Sequence, residues 1–254
     1  MSQQALSETQ FGRHAANCWT SPVHATGADL VRLTATAAHE RPARVLGLGG
    51  GGGHASFALS RGGAGRVTAY DPSSEMLALV AEEAAKRGEK AIETCVGVAE
   101  MLPFQDDTFD LVVTRYSAHH WATVTRALAE CARVIAPGGR FIVIDVVAPE
   151  RPLLDTTLQV IEFLRDASHV RDYRLAEWVA MQRAAGFAEP TVSCWKLPLE
   201  FKSWVARIAT MPPRVTALQM VFAELPGEAR ECFQVGPEFS FITDSAWIDA
   251  RKIG

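Results

Sequence analysis

The chain has no paired cysteines, no basic patch and no long apolar run, and each absence removes a class of function. Its five cysteines (Cys18, Cys95, Cys131, Cys194, Cys232) are odd in number and scattered, with no C-x-x-C. That argues against a zinc site or a disulfide framework and for free thiols in a reducing cytoplasm, with no metal expected. Lys and Arg total 25 against 29 Asp and Glu, a net charge of −4 with no basic cluster, so no nucleic-acid partner is expected. No segment approaches the roughly 20 apolar residues of a membrane-spanning helix. The opening M-S-Q-Q-A-L-S-E-T-Q lacks a basic stretch followed by an apolar one, so no secretory signal is expected. Internal repeats and low-complexity linkers are also missing. What remains is ordinary for a globular protein: 254 residues, 48% hydrophobic and 21% charged. That length suits one sizeable α/β domain with an insertion, or two small domains, acting on a small-molecule substrate; a homodimer is left open.

Glycine is the residue in excess. Arg44 to Ser60 reads R-V-L-G-L-G-G-G-G-G-H-A-S-F-A-L-S, with five consecutive glycines. Val45, Leu46 and Leu48 suit a buried strand, and His54 to Leu59 the first turns of a helix. A glycine turn between strand and helix lets the backbone approach a ligand closely and aims free helix N–H groups at it. A nucleotide-type cofactor at the first strand of an open α/β sheet is therefore expected.

Strand-like and helix-like segments alternate from there. Arg66 to Tyr70, Ile92 to Val96, Asp110 to Thr114 and Phe141 to Val147 read as further strands. Ser73 or Ser74 caps a helix that Gly88 ends. Val124, Leu128, Cys131 and Ile135 mark the apolar face of another helix, stopped by Pro137-Gly138-Gly139. Near-continuous apolar strands separated by helices imply a doubly wound, mostly parallel sheet. After Pro152, helical segments lead to a strand at Thr191 to Leu197, and a final strand runs from Phe239 to Ile248; these two suit an edge hairpin carrying a helical cap.

Ligands of such sheets sit beyond the carboxyl ends of the strands. Asp71 closes the second strand 18 residues after Gly53, where a carboxylate accepts from both ribose hydroxyls; Asp also opens turns of this D-P-S kind. The run Gly47-x-Gly49-x-x-Gly52 satisfies a dinucleotide pattern as well, so the glycine turn leaves the cofactor open. The stretch G-V-A-E-M-L-P-F-Q-D-D-T-F-D-L-V-V-T-R-Y-S-A-H-H, followed by P-G-G-R-F-I-V-I-D, closely resembles the class I S-adenosylmethionine-dependent methyltransferases of the UbiE-like (ubiquinone/menaquinone C-methyltransferase) branch. F-G at Phe11-Gly12, V-H-A-T-G-A-D-L, S-H-V-R-D-Y and K-L-P-L-E-F-K-S-W-V-A-R extend the resemblance, as a YafE-like subgroup, over nearly the whole chain.

The resemblance implies a Rossmann-like, seven-stranded, doubly wound sheet with an antiparallel edge strand and a helical cap. As one domain, 1–254 divides into an N-terminal helical segment (1–40) and a cofactor-binding half (41–149). Cap insertions follow at 150–174 and 198–236, and a C-terminal helix and edge strands at 175–197 and 237–254. S-adenosyl-L-methionine is the implied cofactor and S-adenosyl-L-homocysteine the product. Gly49, Gly51 and Gly53 match the glycine motif, Gly47 of the same turn is counted with them at the cofactor, Asp71 matches the ribose acid, and Pro72 the residue after it. Met76 (equally a core residue), Ala99 and Glu100 match the adenine surroundings, and Arg115 the methionine end. Four positions depart from the family. Gly47 and Gly50 replace an acid and a cysteine, Val98 stands where relatives carry an Asp, and Cys18 where they carry a Tyr.

Tyr116, His119 and His120 are the catalytic candidates, histidine being best poised near neutral pH. Asp145, His169 and Tyr173 are candidate substrate contacts, the last two on a polar lid from Arg165 to Tyr173. Trp178, Trp195, Trp204 and Phe201 favour an aromatic or quinone-like acceptor, or serve as core. The alternatives are a cofactor-binding protein without catalysis and a nicotinamide-dependent oxidoreductase.

Overall fold

The glycine-flanked apolar run lies at the centre of the sheet. β1 (Arg44–Leu48) is buried from Val45 onward and pairs in parallel with β2 (Arg66–Asp71) on one side and β4 (Phe109–Arg115) on the other. With β3 (Ile92–Val96), β5 (Ile135–Val147), β6 (Thr191–Leu199) and β7 (Phe241–Arg251), the seven-stranded order is β3-β2-β1-β4-β5-β7-β6. The chain runs outward from β1 to β3 and returns to β4 beside β1. That reversal opens a crevice above the carboxyl ends of β1 and β4. The computed structural model describes residues 2–13, 19 and 25–254.

Helices cover both faces. α1 (Gln3–Arg13) precedes α2 (Ala28–Glu40). α2 and α3 (His54–Arg61) pack Leu33, Ala37, Ala58 and Leu59 onto Val45, Leu111 and Ile142. α4 (Ser74–Arg87) begins where Ser73 Oγ accepts from the Met76 amide and ends at Gly88 in the left-handed conformation. The opposite face carries α5 (Val124–Val134) and α7 (Leu175–Ala184) against Leu46, Val112 and Phe141. A further apolar cluster joins α6 (Pro152–Arg165), α8 (Phe201–Ala206), α9 (Pro212–Glu224) and α10 (Gly227–Cys232) around Phe201, Trp204, Phe222 and Phe241.

Two expectations about the strands are corrected. The antiparallel strand is not at the edge: β7 runs antiparallel between β5 and β6, and β6 forms the edge in the direction of the parallel strands. Burial explains the order, since β7 is buried almost throughout while β6 is mostly exposed. Pro198, which cannot donate to a ladder, sits on that edge strand. Ile135 belongs to no helix face; α5 stops at Val134 and Ile135 opens β5, paired with Phe109. Pro137 has no N–H with which a helix could continue, and Gly138 turns there at φ 74°. Among the described residues no helix is long and apolar enough to cross a membrane.

Candidate active site

The crevice over β1 and β4 is a hollow of about 1570 Å³ free of protein atoms, its mouth included. The glycine turn forms one wall. Gly47, Gly49 and Gly51 line it, as do Asp71, Pro72, Met76, Ala99, Glu100 and Arg115 from the ends of the other strands and the loops that follow them. Gly53 does not. It is the left-handed N-cap of α3, and a Cβ there would lie 2.8 Å from Val80 Cγ2, so its part is to let the helix start against α4. A Cβ on Gly51 would meet nothing within 4 Å, so the backbone is bare where it faces the hollow. At Gly49, φ is +62° and a Cβ would overlap Ser117 Oγ.

Asp71 is buried and tied to the turn. Its Oδ2 accepts from the Gly51 amide at 2.8 Å and its Oδ1 from the Ser73 amide at 2.9 Å. Burial pushes its pKa up to about 6 against the pull of those two donors. Each oxygen keeps a lone pair for a further donor. Glu100 Oε1 accepts from the Thr123 amide at 3.1 Å, and Met76 is buried beside Phe11. At the other end Arg115 is buried in an ion pair with Asp29 of α2 and lies over the Tyr116 ring, 4.9 Å from its centroid. The polar lining therefore changes along the hollow, from an accepting carboxylate at Asp71 to a donating guanidinium at Arg115. That polarity fits a nucleoside whose ribose meets an acid and whose amino-acid tail meets a cation.

Gly47 has no acid, and its space is occupied: a Cβ there would stand 2.6 Å from Ser56 Oγ. Val98 offers only its backbone, its carbonyl accepting from Tyr70 Oη at 3.2 Å. Cys18 lies outside the described residues.

A second hollow opens under the α6–α10 layer. Phe11, Tyr116 and His120 line both hollows. Tyr116 sits at φ 50°, an uncommon conformation for a bulky residue, and its hydroxyl accepts from Ser245 Oγ at 3.2 Å. His119 lines the second hollow only. Its Nδ1 donates to Asp145 Oδ1 at 2.7 Å. Burial alone would lower this imidazole, but the Asp145 charge and hydrogen bond outweigh it and raise the pKa to about 9. His120 goes the other way, lowered by burial and by its charged neighbour, with its Nδ1 3.1 Å from the Ser168 carbonyl. One member of the pair is thus an imidazolium at neutral pH and the other a neutral ring.

The remaining candidates are not brought into either hollow. Asp145 is buried and accepts from the amides of Ala118 and Val146 as well as from His119, so it holds the turn at 118–120 rather than a ligand. Tyr173 packs edge-on to Trp178, centroids 5.6 Å apart. His169 is buried, its Nε2 3.0 Å from Gln159 Oε1, and faces a separate dent beside α6. The polar run expected to be a lid also braces the histidine turn, since the amides of Val170 and Arg171 donate to the His119 carbonyl at 2.8 and 3.1 Å. Trp178 and Trp195 pack in or against the sheet cores and Phe201 in the cap core; Trp204 alone of the four reaches the second hollow. His119, Asp145 and Asp172 bring one atom each within 4.8 Å of one another, with His119 Nδ1 already engaged by Asp145.

Sequence reasoning missed Gln4, Ser7 and His54 in the first hollow, and Glu162 and Arg207 in the second, where Asp172 comes from the polar run without having been singled out. Phe11, quoted only as part of an F-G pair, bridges the two. No local pattern marks the others.

Residues 46–143 match the family model for a methyltransferase domain. YafE of Escherichia coli is 45% identical over 186 residues, 73% of this chain and 90% of that protein. The methyltransferase YcgJ of Bacillus subtilis is 35% identical over 251 residues, covering 97% of this chain and 99% of its own. Its crystal structure superposes with a TM-score of 0.85 at 33% identity, over 89% of this chain and 99% of that one. The C-methyltransferase UbiE of Methylobacterium nodulans is 37% identical over 125 residues, 48% of this chain and 50% of that enzyme. A match to YcgJ over nearly all of both chains, on a fold whose crevice suits the cofactor, sets aside the nicotinamide alternative: the chain belongs to the class I S-adenosylmethionine-dependent methyltransferases.

Proposed function

We propose that this methyltransferase acts on a small aromatic or quinone-like acceptor held in the second hollow, beneath a cap made by residues 150–174 and 198–236. The observation that carries the reading is the lining that the two hollows share: Phe11, Tyr116 and His120 belong to the wall of both. In this reading a ligand in one hollow meets a ligand in the other at these three side chains. Leu197, Leu199 and Trp204 give the second hollow apolar and aromatic wall, and the named activity of the UbiE relative, quinone C-methylation, favours the same class.

S-adenosylmethionine supplies an electrophilic methyl group on a sulfonium and leaves as S-adenosylhomocysteine. In this reading Asp71 accepts from the ribose hydroxyls, Gly51 leaves the backbone bare against the ligand, and Gly47 and Gly49 let the turn pack closely on Ser56 and Ser117 beneath it. Pro72, Met76, Ala99 and Glu100 surround the adenine, and Arg115, held by Asp29, meets the methionine carboxylate. Methyl transfer is an in-line displacement, so holding the two ligands end to end is the main catalytic contribution. The free thiols favour a cytoplasmic setting.

Calorimetric titration with S-adenosylmethionine and S-adenosylhomocysteine, followed by transfer assays on a panel of phenols and hydroquinones, tests the reading. Saturable binding of both, weakened in Asp71→Asn, and transfer to members of the panel are expected. No binding to the wild type would overturn the cofactor site; binding without transfer to any member would overturn the acceptor class.

A further inference from the structure

The second hollow is charged on one side, where a pocket for a neutral ring has no need of charge. His119, Glu162, Arg165, Asp172 and Arg207 share its wall with Leu199 and Trp204. A carboxylate only accepts, so His119 Nδ1 carries its proton toward Asp145. His119 Nε2 makes no hydrogen bond to any described residue, and the side chain keeps 16% of its surface open, on the wall of this hollow. Asp172 Oδ2, on the same wall, is buried with no hydrogen-bond partner among the described residues.

The surroundings set the charge of that wall. Asp145 of β5, Tyr116 at the end of β4, Glu162 and Arg165 of α6, His120 of the same turn, and His169 and Asp172 of the segment after α6 all face the His119 ring or its neighbours, with Arg207 following α8. Burial raises Glu162 and takes Asp172 well above the ordinary carboxylate range. His120 and His169 are driven toward the neutral form, burial first and the His119 charge second. The one imidazole stabilised as a cation is the one with a free Nε2–H on the cavity.

We propose that the acceptor enters this hollow as an oxyanion, a phenolate or the enolate form of a hydroxyquinone, that receives the Nε2–H of His119 while Asp145 holds the imidazole from behind. The inference rests on reading the second hollow as the acceptor site, and narrows its substrate class to acidic hydroxyarenes. His119 is then a donor to an already ionised oxygen, not a base that removes its proton. Ionisation raises the electron density of the oxygen and of the ring carbons ortho and para to it, which is what attack on a methyl carbon requires. A charged N–H facing a cavity is costly when unpaired and worth much when an anion meets it.

The test uses 4-nitrophenol, coloured only as its phenolate, and its neutral isostere 4-nitroanisole, on the full chain saturated with S-adenosylhomocysteine. Below the free phenol's own pKa, binding is expected to raise the phenolate band, and 4-nitroanisole to bind at least about tenfold more weakly. His119→Gln is expected to abolish the rise and weaken 4-nitrophenol roughly ten- to a hundredfold, the worth of a charge-assisted hydrogen bond. Its affinity for S-adenosylhomocysteine, measured alongside as the control for folding, is expected to hold, because His119 does not line the cofactor hollow. Binding of 4-nitrophenol in its neutral form, equal binding of 4-nitroanisole, an unchanged band in a folded His119→Gln, or no binding at all to the loaded protein would each overturn the proposal. A phenolate rise with no methyl transfer to any phenol would instead fault the proposed function and leave the oxyanion site standing.

Discussion

The Gly51 amide donates to Asp71 Oδ2 at 2.8 Å, tying the middle of the glycine run to an acid 20 residues further on. The bond orders the loop and leaves Asp71 buried, with a pKa raised to about 6 from an ordinary 3.8. A raised acid binds protons more tightly folded than unfolded. Its contribution to stability is present below the unfolded value and lost as pH rises through about 6. At neutral pH the free protein therefore carries a costly carboxylate, which ribose hydroxyls would offset by donating to it. Affinity for S-adenosylhomocysteine is expected to fall as pH drops through about 6, with protons released on binding near that pH. Asp71→Asn is expected to weaken binding by roughly ten- to a hundredfold at neutral pH. Calorimetry in buffers of different ionisation enthalpy reads both; an affinity flat across this range would refute the role.

Gly51 and Gly53 both have positive φ, at 47° and 77°, but differ in what an added methyl would meet. At Gly53 the Cβ would lie 2.8 Å from Val80, and Gly53→Ala is expected to lower stability by about 1–3 kcal/mol with a smaller effect on cofactor affinity. At Gly51 the methyl meets only open space. Gly51→Ala is expected to cost about 1 kcal/mol of stability and a larger share of affinity, because the methyl enters the hollow beside Asp71. Thermal melts and S-adenosylhomocysteine titrations of the two variants separate them, and equal losses of affinity would contradict the geometry.

These contrasts mark what was legible in the sequence. Strands β1 to β5, the Ser73 cap and the Gly88 stop follow from local rules: apolar runs, a side-chain acceptor, a left-handed residue. Asp71 and Arg115 were found because strand ends in such a sheet converge on one crevice. The interior place of β7 was not legible, because two strands paired with each other carry no local mark of which one faces the sheet. His169 looked exposed because polarity suggests exposure, yet it is buried against Gln159, and Tyr173 is half-buried against Trp178. The charged wall of the second hollow joins the histidine turn, α6, the segment after α6 and the segment after α8, and no spacing along the chain announces such a meeting.

His119 and Asp145 give a pH dependence opposite in cause to that of Asp71 and similar in direction. The folded pKa of His119, about 9, exceeds the ordinary 6.5. Its contribution to stability is full below about 6.5 and is lost as pH rises through about 9. Removing the Asp145 charge leaves burial unopposed, so Asp145→Asn is expected to drop the His119 pKa below its ordinary value and to erase that loss between about 6.5 and 9. Imidazole NMR titration with melts across this range checks the assignment; a His119 that titrates near 6.5 in the wild type would refute it.

Gly47 and Ser56 explain why restoring the family acid is not a single substitution. Ser56 is fully buried and its Oγ has no hydrogen-bond partner among the described residues, while a Cβ on Gly47 would stand 2.6 Å from that oxygen. Gly47→Asp alone places a side chain into filled space and is expected to cost about 1–3 kcal/mol of stability through overpacking. Ser56→Ala removes an unpartnered buried hydroxyl and is expected to be neutral or stabilising by up to about 1 kcal/mol. In the double variant the carboxylate gains room to turn toward the cofactor hollow. Stability is expected to recover, and affinity for S-adenosylmethionine to rise above the wild type as the new acid meets the ligand's ammonium group. A four-member cycle of melts and titrations measures the coupling between the two sites. Additive effects of Gly47→Asp and Ser56→Ala would show that the hydroxyl does not occupy the acid's place.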